Sequence, residues 1–282
     1  MDKVKALLDN IKFEHTIFAL PFAYLGMVLA SKGLPTFWQF LWVTMAMAGA
    51  RTLAMSTNRL IDFRQDVLNP RTANRPLPKG LLSRKAVVLL CVISFAVVLF
   101  SAWQLNPLCV ALFPLAMIIL IGYSFTKRFT WFTHAFLGIA DGGAPLGGWI
   151  AITGQLGWEP VVLAFAVATW VGGFDLIYAC QDIEFDRKHG VHSVAARFGV
   201  KAALEWSIIA HAITILLLIL LGVMMSLGLL YWLGLAVATL LLTYEHSLVR
   251  ADDLSRLNVA FFNMNGYIAV IVFAFTFAGL YL

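Results

Sequence analysis

Long apolar runs leave this chain few ways to fold. A helix needs about 20 mainly apolar residues to cross a bilayer. Nine runs approach that length, at roughly 14–31, 36–57, 85–103, 107–125, 133–153, 160–180, 201–222, 226–244 and 260–281. In hydrocarbon every backbone N–H and C=O must be satisfied internally, so only helices and closed barrels span. Continuous apolar runs of this length favour helices over alternating strands. Charged residues make up only 12% of the sequence, about half the share of a soluble domain. The expected architecture is all-α: a polytopic bundle of nine transmembrane helices around a central cavity, built by a single domain over residues 1–282. The first fifteen residues are charged and lack an apolar stretch with a small-residue cleavage site. They do not read as a cleaved signal peptide, and they suit a short amphipathic helix on the interface.

Lys and Arg fall in alternate connections. The N-terminus holds Lys3, Lys5 and Lys12, and the stretch after the second run holds Arg59, Arg64, Arg71, Arg75, Lys79, Arg84 and Lys85. Lys127 and Arg128 follow the fourth run, Arg187, Lys188, Arg197 and Lys201 the sixth, and Arg250 and Arg256 the eighth. The opposite connections hold only Lys32. That bias predicts a cytoplasmic N-terminus and an external C-terminus. It accounts for the net charge of +5, so no nucleic-acid partner is expected; nor does any feature imply a protein partner. Cys91, Cys109 and Cys180 lie in apolar runs without metal-binding spacing and read as small hydrophobes.

Against this background the acids stand out. Four of the fifteen fall in two copies of one spacing, Asp-x-x-x-Asp: Asp62 with Asp66, and Asp182 with Asp186. Residues four apart share a helical face, about 5–6 Å between Cβ atoms, where like charges repel unless a cation intervenes. A polar residue precedes each pair by four, Asn58 in one and Tyr178 in the other. Each pair ends an apolar run and leads into a basic loop, and both fall on the predicted cytoplasmic side. The two regions, 58–66 and 178–186, read as the matched centres of a pseudo-repeat facing one cavity. Mg²⁺ prefers six oxygen ligands and is often held by one or two carboxylates plus substrate phosphates. A diphosphate would want Arg and Lys for its remaining oxygens. Arg71 and Arg75, Lys127 and Arg128, and Arg64 between the first two acids are candidates.

Deeper polar residues extend both clusters. Positions 51, 55, 58 and 62 share a helical face, which aims Arg51 at the first pair. Positions 175, 178, 182 and 186 do likewise, which adds Asp175 to the second. Arg and Asp inside a span are costly and usually functional. Asp141 sits among glycines and a proline, which predicts a broken or closely packed helix lining the cavity. Lys12 and His15, at the start of the first run, could meet an acceptor carboxylate at the entrance. His189 and His192 read as loop histidines.

Taken together, these segments resemble the UbiA superfamily of intramembrane prenyltransferases. The likeness runs through the nine spans, Asn58 to Asp66, Asn69 to Pro78 (N-P-R-T-A-N-R-P-L-P), Tyr178 to Asp186, and Gly190 to Ser193 ahead of Arg197-Phe-Gly. The 4-hydroxybenzoate polyprenyltransferase-like branch looks most similar. The resemblance implies a helical bundle in a bacterial inner membrane, whose cavity binds an isoprenyl diphosphate through Mg²⁺ at both Asp pairs. It also implies transfer of the prenyl chain to an aromatic acid in quinone biosynthesis, with a naphthoate on a menaquinone route as the alternative acceptor. Arg59 and His192 depart from the commoner Asp and Lys of the family, which bears on the acceptor rather than the fold. The non-enzyme alternative is a transporter using the paired acids as an ion site.

Overall fold

The computed structural model describes residues 3–12, 16–31, 33–257 and 259–281. It is helical, with no β-strand among these residues. In chain order the α-helices are α1 (Lys3–Asn10), α2 (Thr16–Ser31), α3 (Phe37–Ile61), α4 (Phe63–Leu68), α5 (Arg84–Leu105), α6 (Pro107–Thr126), α7 (Thr133–Thr153), α8 (Trp158–Ala179), α9 (Ile183–His189), α10 (Val194–Met224), α11 (Leu229–Leu248) and α12 (Asn265–Tyr281). A 3₁₀ turn, Cys180–Asp182, joins α8 to α9, and a π-helical turn, Val259–Met264, precedes α12.

Local chemistry sets many of these boundaries. Thr36 and Gln39 form a reciprocal capping box at the start of α3. Ser83 caps α5. Asn106 caps α6, with Pro107 in the first turn, and its Nδ2 also donates to the Ile150 carbonyl at 2.7 Å near the end of α7. Gly154 ends α7 and Gly190 ends α9, both in the left-handed region that glycine adopts without a Cβ clash.

Each of the nine apolar runs folds largely as helix, yet only six helices are both long and apolar enough to cross a membrane. These comprise α5, α6, α7, α8 with its extension through α9, α10 and α11. Helix α3 is long, but Arg51, Asn58 and Arg59 dilute its apolar character. Helices α2 and α12 have 16 and 17 residues. The chain is thus an integral membrane protein. Large side chains such as Leu89, Ile93, Ile118, Leu216, Val223 and Leu240 are exposed on the bundle's outside, as a lipid-facing surface requires. Trp38 and Trp158 are exposed at the helix ends remote from the acidic pairs, where an aromatic belt would lie.

The main core joins α2, α8, α10, α11 and α12 through Leu25, Leu163, Trp170, Leu221, Leu235 and Ile268. Of the two expected forms of α7, broken or closely packed, the structure shows the second: it runs unbroken past Asp141 despite Pro145, and its glycines serve close packing. A Cβ on Gly142 would lie 2.4 Å from the Ala164 carbonyl oxygen of α8, and one on Gly148 would lie 2.2 Å from the Ala23 carbonyl oxygen of α2. Gly148→Leu should therefore force α2 away from α7 and lower stability by about 1–3 kcal/mol or more. The unfolding midpoint of the detergent-solubilised protein reads this directly, and an unchanged midpoint would contradict the close packing.

Candidate active site

Both acidic pairs sit where a long helix breaks. Helix α3 ends at Ile61, and Asp62 leaves helical geometry (φ −91°, ψ 6°) before α4 begins. Helix α8 gives way to the 3₁₀ turn, and Asp182 adopts nearly the same conformation (φ −104°, ψ 8°) before α9. The pairs therefore do not lie on single uninterrupted helices as the spacing predicts. The backbone link nonetheless survives at the first pair, where Asp66 N–H donates to the Asp62 carbonyl at 2.8 Å.

All four carboxylates line one cavity of about 380 Å³. Asp62 is almost fully buried, 2% exposed. Its carboxylate accepts from Asn58 Nδ2 at 2.9 Å, Lys127 Nζ at 2.5 Å and Arg128 Nη2 at 3.0 Å. Asp66 accepts from Arg75 Nη1 at 2.7 and 2.9 Å, with Arg59 4.0 Å away. Asp182 accepts from Asn69 Nδ2 and Arg71 Nε, each at 2.9 Å, and also from Arg71 Nη2. Arg71 donates as well to the Tyr178 hydroxyl at 2.6 Å and stacks 5.0 Å from its ring centre. Asp186 accepts from the Ser193 hydroxyl at 3.0 Å, and Ser193 in turn caps α10 by accepting from Ala196 N–H.

Burial of a charge is tolerated only when it is paired and hydrogen-bonded. Here most of the pairing comes from connections rather than from the acid's own helix. Asn69, Arg71 and Arg75 belong to the turn-rich segment after α4, which packs through Leu77 and Leu82 beneath Ala6 of α1. Lys127 and Arg128 follow the last residue of α6, and the Lys127 carbonyl accepts from His192 N–H at 2.8 Å. Burial opposes the Arg71 charge, but its hydrogen bond to Asp182 and the fields of Tyr178 and Asp182 outweigh that, so its pKa is raised.

The cavity brings together nearly all residues singled out from the sequence. Arg51, Asn58, Asp141, Asp175, Tyr178 and Lys12 all line it, besides the residues just described. Arg128 stands behind Asp62, bonded also to the Ile61 and Ser124 carbonyls. Arg64 is a correction: it is exposed and lies off the cavity wall, because the break at Asp62 turns α4 and points position 64 outward. His15 lies outside the described residues. Sequence reasoning gave no role to Asn69, Ser124, Tyr123, His134 or Ser193, which also line the cavity. Asn69 and Ser193 stand inside motif segments and could have been found there. His134 pairs with Asp175, 41 residues away on another helix, and no spacing rule reaches it.

Among the described residues no three His, Cys, Asp or Glu side chains are grouped to hold a metal alone. The paired carboxylates offer hard oxygen donors, which suits Mg²⁺ when phosphate oxygens complete its shell. A second, mainly apolar cavity of about 480 Å³ lies between α3, α5, α6 and α7 and shares Arg51, Met55, Tyr123, Leu137, Asp141 and Ala144 with the first.

Comparison with known proteins agrees with this arrangement. Residues 19–267 match the UbiA prenyltransferase family. The chain belongs to that family and is a prenyltransferase. It is 29% identical over 278 residues to a 4-hydroxybenzoate octaprenyltransferase of Vibrio campbellii, covering 96% of each chain. The apo structure of a UbiA homologue from Aeropyrum pernix K1 superposes with a TM-score of 0.85 at 34% identity, covering 93% of this chain and 96% of that one. A UbiA homologue from Archaeoglobus fulgidus, bound to GPP and Mg²⁺, shares the fold with a TM-score of 0.73 at 21% identity, covering 98% of this chain and all of that one.

Asn69→Ala would remove a hydrogen bond to a charged acceptor, worth about 1.5–3 kcal/mol. It should loosen the segment after α4 and speed tryptic cleavage after Arg71. An unchanged cleavage rate would mean that Asn69 does not anchor that segment.

Proposed function

We propose that this prenyltransferase moves the prenyl group of an isoprenyl diphosphate onto an aromatic acid of the 4-hydroxybenzoate kind, at a site that takes up Mg²⁺ between the diphosphate and Asp62, Asp66, Asp182 and Asp186. The observation that carries this reading is the bonding of Asn69 and Arg71 to Asp182, which draws both acidic pairs around one space. The names of the Vibrio and Archaeoglobus relatives add the acceptor, and the donor and metal, by analogy.

We read residues 1–282 as one domain crossing the membrane nine times, with α2, α3 and α12 added to the six long apolar helices. The basic connections then face the cytoplasm, with the site on that side. Bound Mg²⁺ would supply positive charge to the diphosphate as it departs. Arg71, Arg75 and Lys127, now paired with the carboxylates, are placed to share that role through charge-assisted hydrogen bonds, while Arg128, expected from the sequence among them, holds Asp62 from behind. Loss of the diphosphate leaves an allylic cation. Tyr178, Phe174, Trp170 and Phe22 line the cavity, and an aromatic face contributes about 0.5–2 kcal/mol to a nearby cation. The surrounding helices exclude water that would otherwise quench it.

The apolar cavity suits the prenyl tail. Arg51 lines both cavities, with a buried Nε that has no hydrogen-bond partner among the described residues, and it suits the acceptor carboxylate. Asp141 and Asp175 lie in the same region, while Lys12 and His15 would serve the entrance. A naphthoate could occupy this space, but the name of the curated relative favours 4-hydroxybenzoate. An ion transporter would place matched helix interruptions at mid-membrane. Here both interruptions fall at the first acid of each pair, beside basic residues, which favours phosphate chemistry.

Membranes containing the protein, given Mg²⁺, geranyl diphosphate and a panel of hydroxylated aromatic acids, should yield pyrophosphate and a product heavier by one geranyl group. No product from any aromatic acid would sink the proposal. Asp62→Ala and Asp182→Ala should each abolish turnover in protein that still inserts, and full activity in either would contradict the site. Arg75→Ala should weaken diphosphate binding, with an unchanged affinity removing Arg75 from it.

A further inference from the structure

We infer that Asp175, oriented by His134, is the base that takes the ring proton after prenylation. The inference rests on the aromatic-acceptor reading above and adds a residue role to it.

Electrophilic alkylation has a step that diphosphate binding does not provide. The prenyl C1–O bond breaks and its electron pair leaves with the diphosphate. A ring carbon then bonds to C1, and that carbon still carries its hydrogen. Aromaticity returns only when the C–H electron pair falls back into the ring and the proton goes to a base. The base must lie below the diphosphate, where the ring sits, and must not be committed to cations.

Most carboxylates in the cavity fail that condition. Asp62 faces Lys127 and Arg128, Asp66 faces Arg75, and Asp182 faces Arg71. Asp186 belongs to the same diphosphate-binding group and accepts from Ser193. Asp141 lies within the field of Arg51, the cation proposed for the acceptor carboxylate. Asp175 differs from all of these. Among the described residues its only ion-pair contact is His134, whose Nδ1 lies 2.7 Å from Oδ2.

The protonation of that contact can be read from the other side of the ring. His134 Nε2 receives the Val194 backbone N–H at 3.4 Å, and a backbone N–H can only donate. Nε2 is therefore the acceptor nitrogen and Nδ1 carries the hydrogen. A neutral imidazole donates to Oδ2, holds the carboxylate in one orientation and adds no charge. Oδ1 has no protein hydrogen bond among the described residues and is left for the substrate. The His134 side chain is 6% exposed, whereas that of Asp175 is 22% exposed and lies on the cavity wall.

The position also fits. Asp175 precedes Asp182 by seven residues, four along α8 and three through the 3₁₀ turn, about 12 Å of rise. Tyr178 stands between them, under Arg71. This places Asp175 beyond the diphosphate by about the depth of an allylic carbon and an aromatic ring. Asp175 is then the catalytic residue and His134 the positioning residue. The proton leaves the carboxyl for water when product departs.

The test separates ionisation from deprotonation. Wild-type protein and the Asp175→Asn, Asp141→Asn and His134→Ala variants are compared with geranyl diphosphate, Mg²⁺ and 4-hydroxybenzoate, unlabelled or deuterated on the ring carbons beside the hydroxyl. Pyrophosphate and prenylated acid are measured separately. Asp175→Asn should lower prenylated acid by about 10²–10⁴-fold, the usual contribution of a general base. Pyrophosphate should then exceed prenylated product, and ring deuterium should slow product formation in this variant though not in the wild type. His134→Ala should show the same isotope sensitivity with a smaller loss. The inference is overturned if Asp175→Asn makes product within about threefold of wild type, a change too small for general-base loss. Equal loss of pyrophosphate and product without isotope sensitivity overturns it too, as does isotope sensitivity confined to Asp141→Asn. Wild-type protein that makes no prenylated aromatic acid overturns the broader reading instead, so the two failures are distinct.

Discussion

The bonding of Asn69 and Arg71 to Asp182 joins parts of the chain more than 100 residues apart, and the rest of the site depends on it. Arg71 is exposed and Asp182 half-buried, so the pair is held chiefly by its several charge-assisted hydrogen bonds. The same logic holds Asp62 between Lys127 and Arg128 and Asp66 against Arg75. The segment after α4 supplies the cations for both Asp66 and Asp182, and Lys127 and Arg128 supply those for Asp62, so the helix ends cannot separate without breaking these pairs. Under the proposed function, a diphosphate with its metal would take over cations that these carboxylates already hold.

The helical frame delivers these groups through two similar devices. Both long helices that carry an acidic pair yield at its first aspartate, with closely similar dihedral angles. The break turns the following short helix and sends the chain into a basic connection. Meanwhile Gly142 and Gly148 let α7 approach α8 and α2 at backbone contact. That close packing sets the wall carrying Asp141 and His134, while polar Arg51 enters from α3. The polar chamber and its apolar neighbour share Arg51 and Asp141 in their walls, which sets a polar and an oily compartment side by side.

Much of this was legible in the chain because membrane burial makes charge conspicuous. The nine apolar runs correspond to helices, and the faces 51–55–58–62 and 175–178–182–186 both reach the cavity. Helical periodicity plus the cost of an unpaired ion were enough for that. The break at Asp62 was not legible, since Ile61 and Phe63 carry no helix-breaking signal, and so Arg64 was expected inside and stands outside. Pro145 and its neighbouring glycines leave α7 either broken or closely packed, and the missing Cβ atoms serve helix contact. His134 and Asp175 show the general limit: their pairing depends on how α7 meets α8, which no local spacing records.

The central claim is that one ligand is shared by both acidic pairs. Its most direct measurement is a double-mutant cycle on Mg²⁺-dependent binding of a non-hydrolysable geranyl diphosphate analogue, using Asp66→Asn, Asp186→Asn and the double variant. Groups that share a ligand couple by about 0.5–3 kcal/mol, while independent sites add to within about 0.5 kcal/mol. The structure predicts a coupling clearly above the additive range. Strict additivity, or binding that survives the double substitution, would show that the two acidic pairs serve separate ligands.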